Sequence, residues 1–386
     1  MNIVHVITRL ILGGAQENTI LTCEGLAARG HEVTLITGPA LGPEGELLTR
    51  ARSGDYKVIV VQSLRRAINP LLDAVAYRAL LRRLGDLKAD IVHTHSSKSG
   101  ILARRAAAKL RANSALPKIV HTVHGLPFHP YGGRLANRLY IALERQAARQ
   151  TDAIISVADA MTTQALTAAI GRTEQYTTIY SGMEIEVFTD RPDDADDFRR
   201  SLGLGEGDVL VTQVSRLAKL KGHEFILAAA EKIADRRVHF CFVGDGRRRG
   251  RIERAIRASA GLTGRVHLTG LLRPEKMPTV MHAADILVHC SLREGLARAL
   301  PQAMLAGKPV ISFDIDGARE VVDADTGVLL EAGDIAGLKA AIETLAASAE
   351  LRARLGAAGR RLAAGKFDHR IMVEKIESLY ERIMEE

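Results

Sequence analysis

Cysteine is scarce in this sequence. Its 386 residues include three cysteines, Cys23, Cys241 and Cys290, and each lies in an apolar segment. Lone thiols in apolar segments predict buried, reduced side chains and exclude the disulfide framework of a small secreted domain. No Cys/His spacing typical of a metal site occurs, so we expect neither a metal nor a bound cofactor.

Long hydrophobic runs are also missing. Although 47% of the residues are hydrophobic, no apolar run reaches the ~18 residues needed to span a bilayer. Residues 1–8 enter a predicted strand directly, without the charged leader and cleavage site of a signal peptide. We therefore expect a cytoplasmic protein.

Two recognition signatures are absent as well. The sequence has no Gly-x-Gly-x-x-Gly fingerprint, which argues against a dinucleotide-dependent dehydrogenase. It also has no nucleic-acid-recognition module, so we expect no nucleic-acid partner despite a formal charge of +8.

What the chain does contain is a regular alternation of short apolar runs and helical segments, over a length that fits two domains. Apolar runs predict strands at 3–7, 31–37, 57–62, 91–95, 119–124, 153–157, 209–214, 239–243, 266–268, 284–290 and 309–313. This alternation predicts an α/β fold of Rossmann-like, doubly wound domains. We place the domains at 1–182 and 183–366, joined by an acidic linker, with a final helix at 367–386.

In the first half, candidate ligand-binding residues follow the predicted strands, because open α/β sheets bind ligands at that edge. Gly13 and Gly14 open a helix after the first strand, where backbone can approach a phosphate closely. Histidines gather at two later strand ends, as His-Thr-His at 93–95 and His-Thr-Val-His at 121–124. Since no carboxylate accompanies them, we interpret them as lining a sugar cleft rather than binding a metal.

In the second half, the strand at 209–214 is followed by two cations, Arg216 and Lys221. An arginine can grip a phosphate with two hydrogen bonds, and a lysine adds a point charge. The strand at 239–243 is followed by a tight turn that contains Gly244 and Gly246. An ordinary charged loop is the plain alternative for the two cations.

The stretch 291–309 has the densest chemistry. Pro301 is compatible only with the first turn of a helix, so this helix is predicted to begin near Ala299 and to stop near Gly307. Glu294 and Gly295 then lie in a loop at a strand's carboxyl end, beside a helix N-terminus that favours an anion. Because Glu294 is too polar to be needed there for packing, we interpret it as a ligand contact.

The spacing of Glu294 and Gln302 resembles the signature of the retaining family-4 glycosyltransferases of the GT-B fold, in which two carboxylates flank seven residues. Further similar segments are Gly13-Gly14, Thr122-Val-His-Gly125, Ser215-Arg-Leu217, Lys221-Gly222, Val243-Gly-Asp-Gly246 and Arg293-Glu-Gly295. Segments 93–100 and 122–125 resemble bacterial members that build surface polysaccharides on a polyprenyl diphosphate carrier. The resemblance implies two Rossmann-like domains that face a cleft, with the C-terminal helix crossing back to the first.

The resemblance also implies a reaction and roles. A nucleoside-diphosphate sugar would be the donor and a lipid-linked or other glycan the acceptor, with retention of configuration and without a metal. Arg216 and Lys221 would neutralise the diphosphate, His124 would contact the transferred sugar, and Glu294 would hold sugar hydroxyls. The implied catalytic and donor-binding residues are Gly13, Gly14, His124, Arg216, Lys221, Gly244, Gly246, Glu294, Gly295, Leu296 and Gln302.

Gln302, Ala297 and Asp316 depart from the family pattern, in which the last two positions are glycines. Gln302 replaces the second carboxylate, which in the family binds the ribose hydroxyls; an amide can still accept one hydrogen bond and donate another. An inactive sugar-nucleotide-binding relative and a GT-B epimerase are therefore alternatives. Asp314-Ile-Asp316 resembles the Asp-x-Asp metal clamp of another glycosyltransferase fold. We reject that reading, because relatives carry a glycine-rich turn here, and we expect the turn to start a helix.

The positive charge is concentrated between residues 96 and 150, where ten Lys and Arg face one acid, Glu144. Such a block suits an anionic membrane surface. It encloses the loop Leu126-Pro-Phe-His-Pro-Tyr131. We expect Phe128 and Tyr131 to enter the interface while cations such as Arg104 meet headgroups, which would place the protein on the inner face of the cell membrane. The alternative is a loop that covers the cleft, with solvated arginines.

Overall fold

The structure, a computed structural model, describes residues 1–39, 41, 46–112 and 115–386. The chain divides into two compact units, one of Met1–Met183 with His369–Glu386 and the other of Glu184–Asp368. The domains proposed from the sequence, 1–182 and 183–366 with a helix at 367–386, differ from these units by only a few residues.

The first unit is built on a seven-stranded sheet. Its strands are β1 (Asn2–Ile7), β2 (Glu32–Thr37), β3 (Lys57–Val60), β4 (Ile91–His95), β5 (Lys118–Val123), β6 (Ala153–Ser156) and β7 (Tyr176–Thr178). They lie in the order β3-β2-β1-β4-β5-β6-β7, and all neighbouring pairs are parallel. Its helices are α1 (Gly14–Ala28), α2 (Leu48–Ser53), α3 (Pro70–Leu87), α4 (Ser97–Arg111), α5 (Arg134–Ala148), α6 (Asp159–Thr167) and the C-terminal helix (His369–Glu385).

Helices cover both faces of this sheet. Ile3 and Ile7 of β1 pack with α1 and the C-terminal helix, whereas Val4 and Val6 pack with α3 and α4. Successive side chains of a strand point to opposite faces, so a strand covered on both sides reads as a continuous apolar run. The C-terminal helix contributes buried residues to this core and contacts α1, which confirms that it belongs to the first domain.

The second unit is built on a six-stranded parallel sheet. Its strands are β8 (Val209–Val214), β9 (Val238–Val243), β10 (Val266–Gly270), β11 (Ile286–His289), β12 (Val310–Phe313) and β13 (Gly327–Leu330), in the order β10-β9-β8-β11-β12-β13. Its helices are α7 (Ile185–Thr189), α8 (Ala195–Ser201), α9 (His223–Lys232), α10 (Arg249–Ala258), α11 (Met277–Ala283), α12 (Ala299–Leu305), α13 (Ile335–Ala347) and α14 (Ala349–Lys366). Val209 and Val211 face the core beneath α9 and α13, and Leu210 packs on the opposite side with Val280 of α11.

The strands predicted from apolar runs are all present, and α12 begins at Ala299 as Pro301 predicts. Two short strands, β7 and β13, are not predicted from the sequence because each has only three or four residues, most of them half-buried. The expectation that the turn at 316–320 starts a helix is wrong, because these residues form a single 3₁₀ turn, Ala318–Glu320.

The expectations drawn from scarce residue types can be compared with the structure. All three cysteines are buried and free, as their apolar surroundings predict. Among the described residues, no helix combines the length and hydropathy needed to cross a membrane.

The basic block between residues 96 and 150 is less exposed than its sequence suggests. Arg104 is 1% exposed and donates to Glu144 at 2.6 Å, between α4 and α5. Lys98 pairs with Asp73, and Arg111 pairs with an acid beyond the block. The expectation that Arg104 meets lipid headgroups is therefore wrong, because the one acid of the block lies opposite it and compensates its charge in the core.

Candidate functional site

In the second unit the strand order reverses at β8, because β9 and β10 lie on one side and β11 to β13 on the other. Loops that leave two adjacent strands toward opposite faces open a crevice at their carboxyl ends, where doubly wound sheets bind ligands. The loops here are residues 215–222, after β8, and 290–298, after β11. Of the donor-site residues expected from the sequence, they hold Arg216, Lys221, Glu294, Gly295 and Leu296.

The backbones of these two loops are in close contact. The N–H of Leu292 donates to the carbonyl oxygen of Leu220 at 2.9 Å. Leu220 itself has a φ of 68°, a left-handed conformation uncommon for a leucine. At Gly222, with a φ of 74°, an added Cβ would lie 1.8 Å from the carbonyl oxygen of Cys290. Only glycine fits there, so the approach of the two loops is specified by the sequence.

An ion pair joins the two loops. The Nζ of Lys221 contacts Oε1 of Glu294, and Nε2 of His289 lies 3.2 Å from the same oxygen. Burial raises the pKa of Glu294, but Lys221 and His289 outweigh it and hold the pKa of this carboxyl well below its ordinary value. Glu294 is therefore ionised at neutral pH, so it can accept hydrogen bonds from hydroxyl groups but holds no proton to donate.

Asp316 orients the backbone beside this pair. Its Oδ2 accepts a hydrogen bond from the N–H of Glu294 at 2.7 Å, and its φ of 47° is left-handed, a backbone conformation that glycine adopts most readily. Asp314 instead accepts from the guanidinium of Arg319 at 2.6 Å. The two aspartates thus serve different partners, an arrangement unlike that of an Asp-x-Asp clamp.

The other donor-site candidates of the second unit lie in or near the same loops. Arg216 is exposed, and in the part of the chain that the structure describes its guanidinium has no ion-pair partner. Gly295 and Leu296 are buried beside Glu294. Gln302 is 8% exposed in α12, and its side chain has no hydrogen-bond partner among the described residues. The contacts of these four residues with a donor stay predictions.

The glycine turn after β9 has a packing reason of its own. Gly244 has a φ of 135°, and a Cβ there would lie 2.2 Å from the carbonyl oxygen of Ser215. Its N–H donates to the carbonyl of Gly270 at 2.9 Å, so that donor is already used. Gly246 approaches the carbonyl of Leu217 in the same way. The contact of Gly244 and Gly246 with a nucleotide stays a prediction.

Sequence reasoning misses three polar residues that organise this region, namely Gln213, His223 and His289. Gln213 is buried in β8, and its Nε2 donates to the carbonyl of Lys221 at 2.8 Å. Burial, and then the charge of Lys221, lowers the pKa of His223 to about 4, so this ring at the start of α9 is neutral. For Gln213 and His289 the available signal was a polar residue within an otherwise apolar strand.

The first unit has its own reversal of strand order, between β1 and β4. Gly13 precedes α1 and Gly14 begins it, directly after β1. Across the reversal, Ser96 joins β4 to α4 with a φ of 64°, a costly conformation for serine that often marks functional turns. Thr8 and Ser99 link the two turns through hydroxyl oxygens 2.9 Å apart. The approach of Gly13 and Gly14 to a phosphate stays a prediction.

Five histidines of the first unit, at positions 5, 93, 95, 121 and 124, lie together beside this reversal. His124 follows β5, is half-buried, and its Nε2 lies 3.0 Å from Nδ1 of His95. His95 in turn lies 3.0 Å from His5 through Nε2 and Nδ1. His93 pairs with hydroxyl groups, and His121 pairs with the hydroxyl of Thr94. The expectation that the histidines at 93, 95 and 121 line a cleft is wrong, because they are at most 4% exposed and satisfy one another inside the sheet.

Burial keeps most of these rings neutral. It lowers the pKa of His5 to about 3 and the pKa values of His93, His95 and His121 well below their ordinary value. Ring nitrogens of His5, His93 and His95 lie within 4.8 Å of one another, a grouping that can hold a metal ion. However, His5 and His95 already bond each other and both His93 nitrogens have hydroxyl partners. A metal-free site stays a prediction.

Comparisons with known proteins agree with this geometry. The family described as "Glycosyl transferases group 1" matches residues 194–362, and "Glycosyltransferase Family 4" matches residues 12–187. A UDP-Gal:alpha-D-GlcNAc-diphosphoundecaprenol alpha-1,3-galactosyltransferase of Escherichia coli is 29% identical, with 87% of this chain and 85% of that protein covered. The putative glycosyltransferase EpsD of Bacillus subtilis is also 29% identical, with 83% and 84% covered.

The fold itself has solved counterparts. The crystal structure of Anabaena Alr3699/HepE in complex with UDP and glucose superposes with a TM-score of 0.83 at 22% identity, covering 99% of both chains. The GT-B fold and the family resemblance expected from the sequence are thereby confirmed. The first unit thus carries a family-4 glycosyltransferase domain and the second a group 1 glycosyltransferase domain, and the chain is a glycosyltransferase of the GT-B type.

Proposed function

We propose that this glycosyltransferase moves a sugar from a nucleoside-diphosphate donor to a glycan on a polyprenyl diphosphate carrier, with retention and without a metal. The observation that carries the proposal is the ion pair of Lys221 and Glu294 at the switch point of the second unit, with Arg216 exposed on the same loop. This arrangement combines cations for a diphosphate with an ionised acceptor for sugar hydroxyls.

The reaction breaks the bond between the anomeric carbon and the diphosphate oxygen. The acceptor oxygen forms the new bond on the same face of the sugar, and its proton passes to the departing phosphate oxygen. Negative charge therefore builds on the diphosphate as positive charge builds on the sugar. Arg216 and Lys221 are fixed cations of the kind that stabilises the leaving group electrostatically, which supports a reaction without a metal.

The remaining residues bind and orient the donor in this proposal. Glu294, ionised and held by its backbone bond to Asp316, accepts hydrogen bonds from sugar hydroxyls. Gln302 serves the ribose hydroxyls with its amide. Retention rests on the likeness of Arg293-Glu-Gly295 and its helix to the retaining family. His124 of the first unit contacts the transferred sugar.

The acceptor class is supported by a relative. The E. coli galactosyltransferase acts, by its name, on a GlcNAc linked to diphosphoundecaprenol and uses UDP-galactose. It is similar to this chain over most of both sequences. We therefore propose a hexosyl or N-acetylhexosaminyl donor and a cytoplasmic protein that meets its acceptor at the membrane.

A panel experiment tests this function. Purified protein is incubated with UDP-linked and other nucleotide sugars, with and without polyprenyl-diphosphate-linked acceptors. We expect acceptor-dependent nucleotide release, an unchanged anomeric configuration in the product, and full activity in EDTA. Activity that EDTA abolishes and a divalent ion restores overturns the metal-free step. Conversion of the donor sugar without an acceptor favours the epimerase, and binding without any turnover favours the inactive relative.

Exposed apolar side chains support membrane contact of the first unit. On α5, Leu135 is 80% and Leu139 57% exposed, and Tyr131 just before it is 49% exposed. Helices α3 and α5 each pack against α4. A second group of exposed apolar side chains lies at the start of α3 and consists of Ile68, Leu71 and Val75. Phe128 instead packs against the core around Leu126, so its expected entry into the interface is wrong.

The cations beside these exposed apolar side chains suit anionic headgroups. Arg134 and Arg138 are exposed on α5, and Arg65 and Arg66 are exposed before α3. Each Lys or Arg near an anionic surface contributes roughly 1 kcal/mol, so four of them suffice for reversible docking together with the exposed apolar side chains. Tyr131 and the exposed leucines would enter the interface.

Vesicle sedimentation tests the docking. We expect binding to anionic vesicles at low salt, weaker binding at high salt, and little binding to neutral vesicles. The double variant Arg134→Glu/Arg138→Glu should lose binding while keeping transfer to a short soluble acceptor. The matched control is Arg251→Glu/Arg254→Glu, the same charge change on exposed residues of α10. Equal binding by both double variants, or no binding by the unchanged protein, contradicts docking through α5.

A further inference from the structure

Three histidines of the first unit form a continuous hydrogen-bonded chain. Nδ1 of His5 lies 3.0 Å from Nε2 of His95, and Nδ1 of His95 lies 3.0 Å from Nε2 of His124. The rings of His5 and His95 stack at 15°, and those of His95 and His124 at 30°. The chain runs from β1 in the core, through β4, to the half-buried ring that follows β5.

Such a chain has only two consistent arrangements of protons. A neutral imidazole carries one N–H and one bare nitrogen, and burial keeps His5 and His95 neutral. If His95 donates from Nδ1 to His124, its bare Nε2 must accept from Nδ1–H of His5. If it donates from Nε2 to His5, its bare Nδ1 must accept from Nε2–H of His124. The tautomers of all three rings are therefore coupled.

The inner end of the chain distinguishes the two arrangements. Nε2 of His5 is buried and has no hydrogen-bond partner among the described residues. In the second arrangement this nitrogen would carry a proton, and a buried N–H without an acceptor is rare in folded proteins. In the first arrangement it is bare. The first arrangement is favoured, and it leaves the proton of His124 on Nδ1.

We propose that His5 and His95 are positioning residues that act through His124, fixing its proton on Nδ1 so that the ring meets its ligand as a hydrogen-bond donor. The inference depends on the proposed function only in taking that ligand to be the sugar of the donor. A fixed donor matches a sugar hydroxyl oxygen that accepts a hydrogen bond, and it needs no charged ring.

Two other histidines pack near the chain but are not part of it. His93 packs beside His95 at 4.3 Å between ring centroids, but its two nitrogens pair with Thr122 and Tyr380. His121 pairs with Thr94 on the neighbouring strand. Neither ring therefore supplies a proton to the chain, and His121 offers a control with similar burial outside it.

Nitrogen-15 NMR of histidine-labelled protein, without any substrate, reads the tautomers directly. We expect protons on Nδ1 of His95 and His124 in the unchanged protein. His5→Leu removes the inner donor and should leave His124 as a mixture of tautomers. His5→Asn places an amide N–H near the position of Nδ1, so it should restore the original tautomer. His121→Asn should change neither ring of the chain.

Kinetics supply the second readout. We expect His5→Leu to lower kcat by about tenfold, which corresponds to ~1.4 kcal/mol, comparable to one hydrogen bond. The KM for the nucleotide sugar should stay unchanged, because the diphosphate depends on residues of the second unit. His5→Asn should recover most of the lost kcat. It also provides the test if the His5→Leu variant does not fold.

Three results overturn the inference. The first is a His124 proton on Nε2 in the unchanged protein, and the second is a His124 tautomer that His5→Leu does not alter. The third is binding of one equivalent of Zn²⁺ that changes the NMR chemical shifts of His5 and His95, which would mark a metal site. If the tautomers are as expected but no donor is turned over, the positioning role stands and the proposed function fails. If sugar transfer occurs with the wrong tautomers, only the positioning role fails.

Discussion

The two sheets reverse their strand order in the same way, between β1 and β4 and between β8 and β11, yet the residues beside the two reversals differ in charge. In the second unit an ion pair, Lys221 with Glu294, joins the two loops. In the first unit His5, His95 and His124 are linked by hydrogen bonds, and burial keeps the first two of these rings neutral.

The strand topology therefore sets where a ligand can bind, whereas the side chains at that place set which chemical groups contact it. A diphosphate needs fixed positive charge, and a cation can be kept in a protein at low energetic cost when an acid such as Glu294 compensates it. A sugar hydroxyl needs only a donor or an acceptor, so neutral rings suffice and no charge must be buried. We therefore propose that the charged loops of the second unit contact the diphosphate, with Glu294 also accepting from sugar hydroxyls, and that the neutral ring of His124 adds one hydrogen bond to the sugar.

Low pH should destabilise the sheet of the first unit before the sheet of the second unit. Burial lowers the pKa values of His5, His93, His95 and His121 below the ~6.5 of an unfolded chain. As pH falls below about 6.5, the unfolded state binds protons that the folded state does not bind. The free energy of unfolding therefore decreases by up to ~1.4 kcal/mol per pH unit for each histidine. Hydrogen exchange at pH 7 and pH 5 should show β1, β4 and β5 losing protection before β8 and β11. Equal loss in both sheets would contradict this.

Removing the cation of the pair should nearly abolish transfer. Lys221→Ala deletes a charge aimed at a leaving group that becomes more negative, and losing one such donor commonly lowers kcat by 10²–10³-fold, or ~2.7–4 kcal/mol. It also leaves Glu294 without its counter-ion, so the thermal midpoint should fall. Lys219→Ala removes an exposed lysine from the same loop and is the matched control. Similar kinetics for both variants would move the phosphate site elsewhere.

Neutralising the acid should separate turnover from binding. Glu294→Gln keeps the shape of the side chain but weakens its acceptance of hydrogen bonds from sugar hydroxyls. We expect kcat to fall about hundredfold, or ~2.7 kcal/mol, while the Kd for the free nucleoside diphosphate changes only a few-fold. Calorimetry and initial rates measure the two quantities. Equal losses in both would indicate that Glu294 is structural.

The smallest effect is expected at the position that departs from the family pattern. Gln302→Glu restores the second carboxylate of the family, and if the amide already binds ribose, kcat/KM should stay within about tenfold, or ~1.4 kcal/mol. Gln302→Leu, which cannot hydrogen-bond, is the control and should be worse. An inert natural protein that Gln302→Glu makes active would instead identify a relative that has lost its activity.

Much of the fold follows from local sequence. Apolar runs predict the central strands, which are buried on both faces, and also the edge strands β3 and β10. Pro301 predicts the start of α12 at Ala299, because proline is tolerated only in the first turn. The edge strands β7 and β13 are not predicted, because half-buried segments of three and four residues carry no clear apolar run.

The two-domain α/β class and the position of Arg216, Lys221 and Glu294 in strand-end loops follow from the amino-acid sequence, because strand ends and glycine turns are local signals. Which of these groups come into contact depends on the folded arrangement of the strands. The pairing of Lys221 with Glu294 spans 73 residues, and that of His5 with His95 spans 90. The fold likewise buries Arg104 against Glu144, although the sequence counts it among surface charges. The charge and polarity of each side chain can be read from the sequence. Its burial and its hydrogen-bond partners depend on which strands become neighbours in the fold.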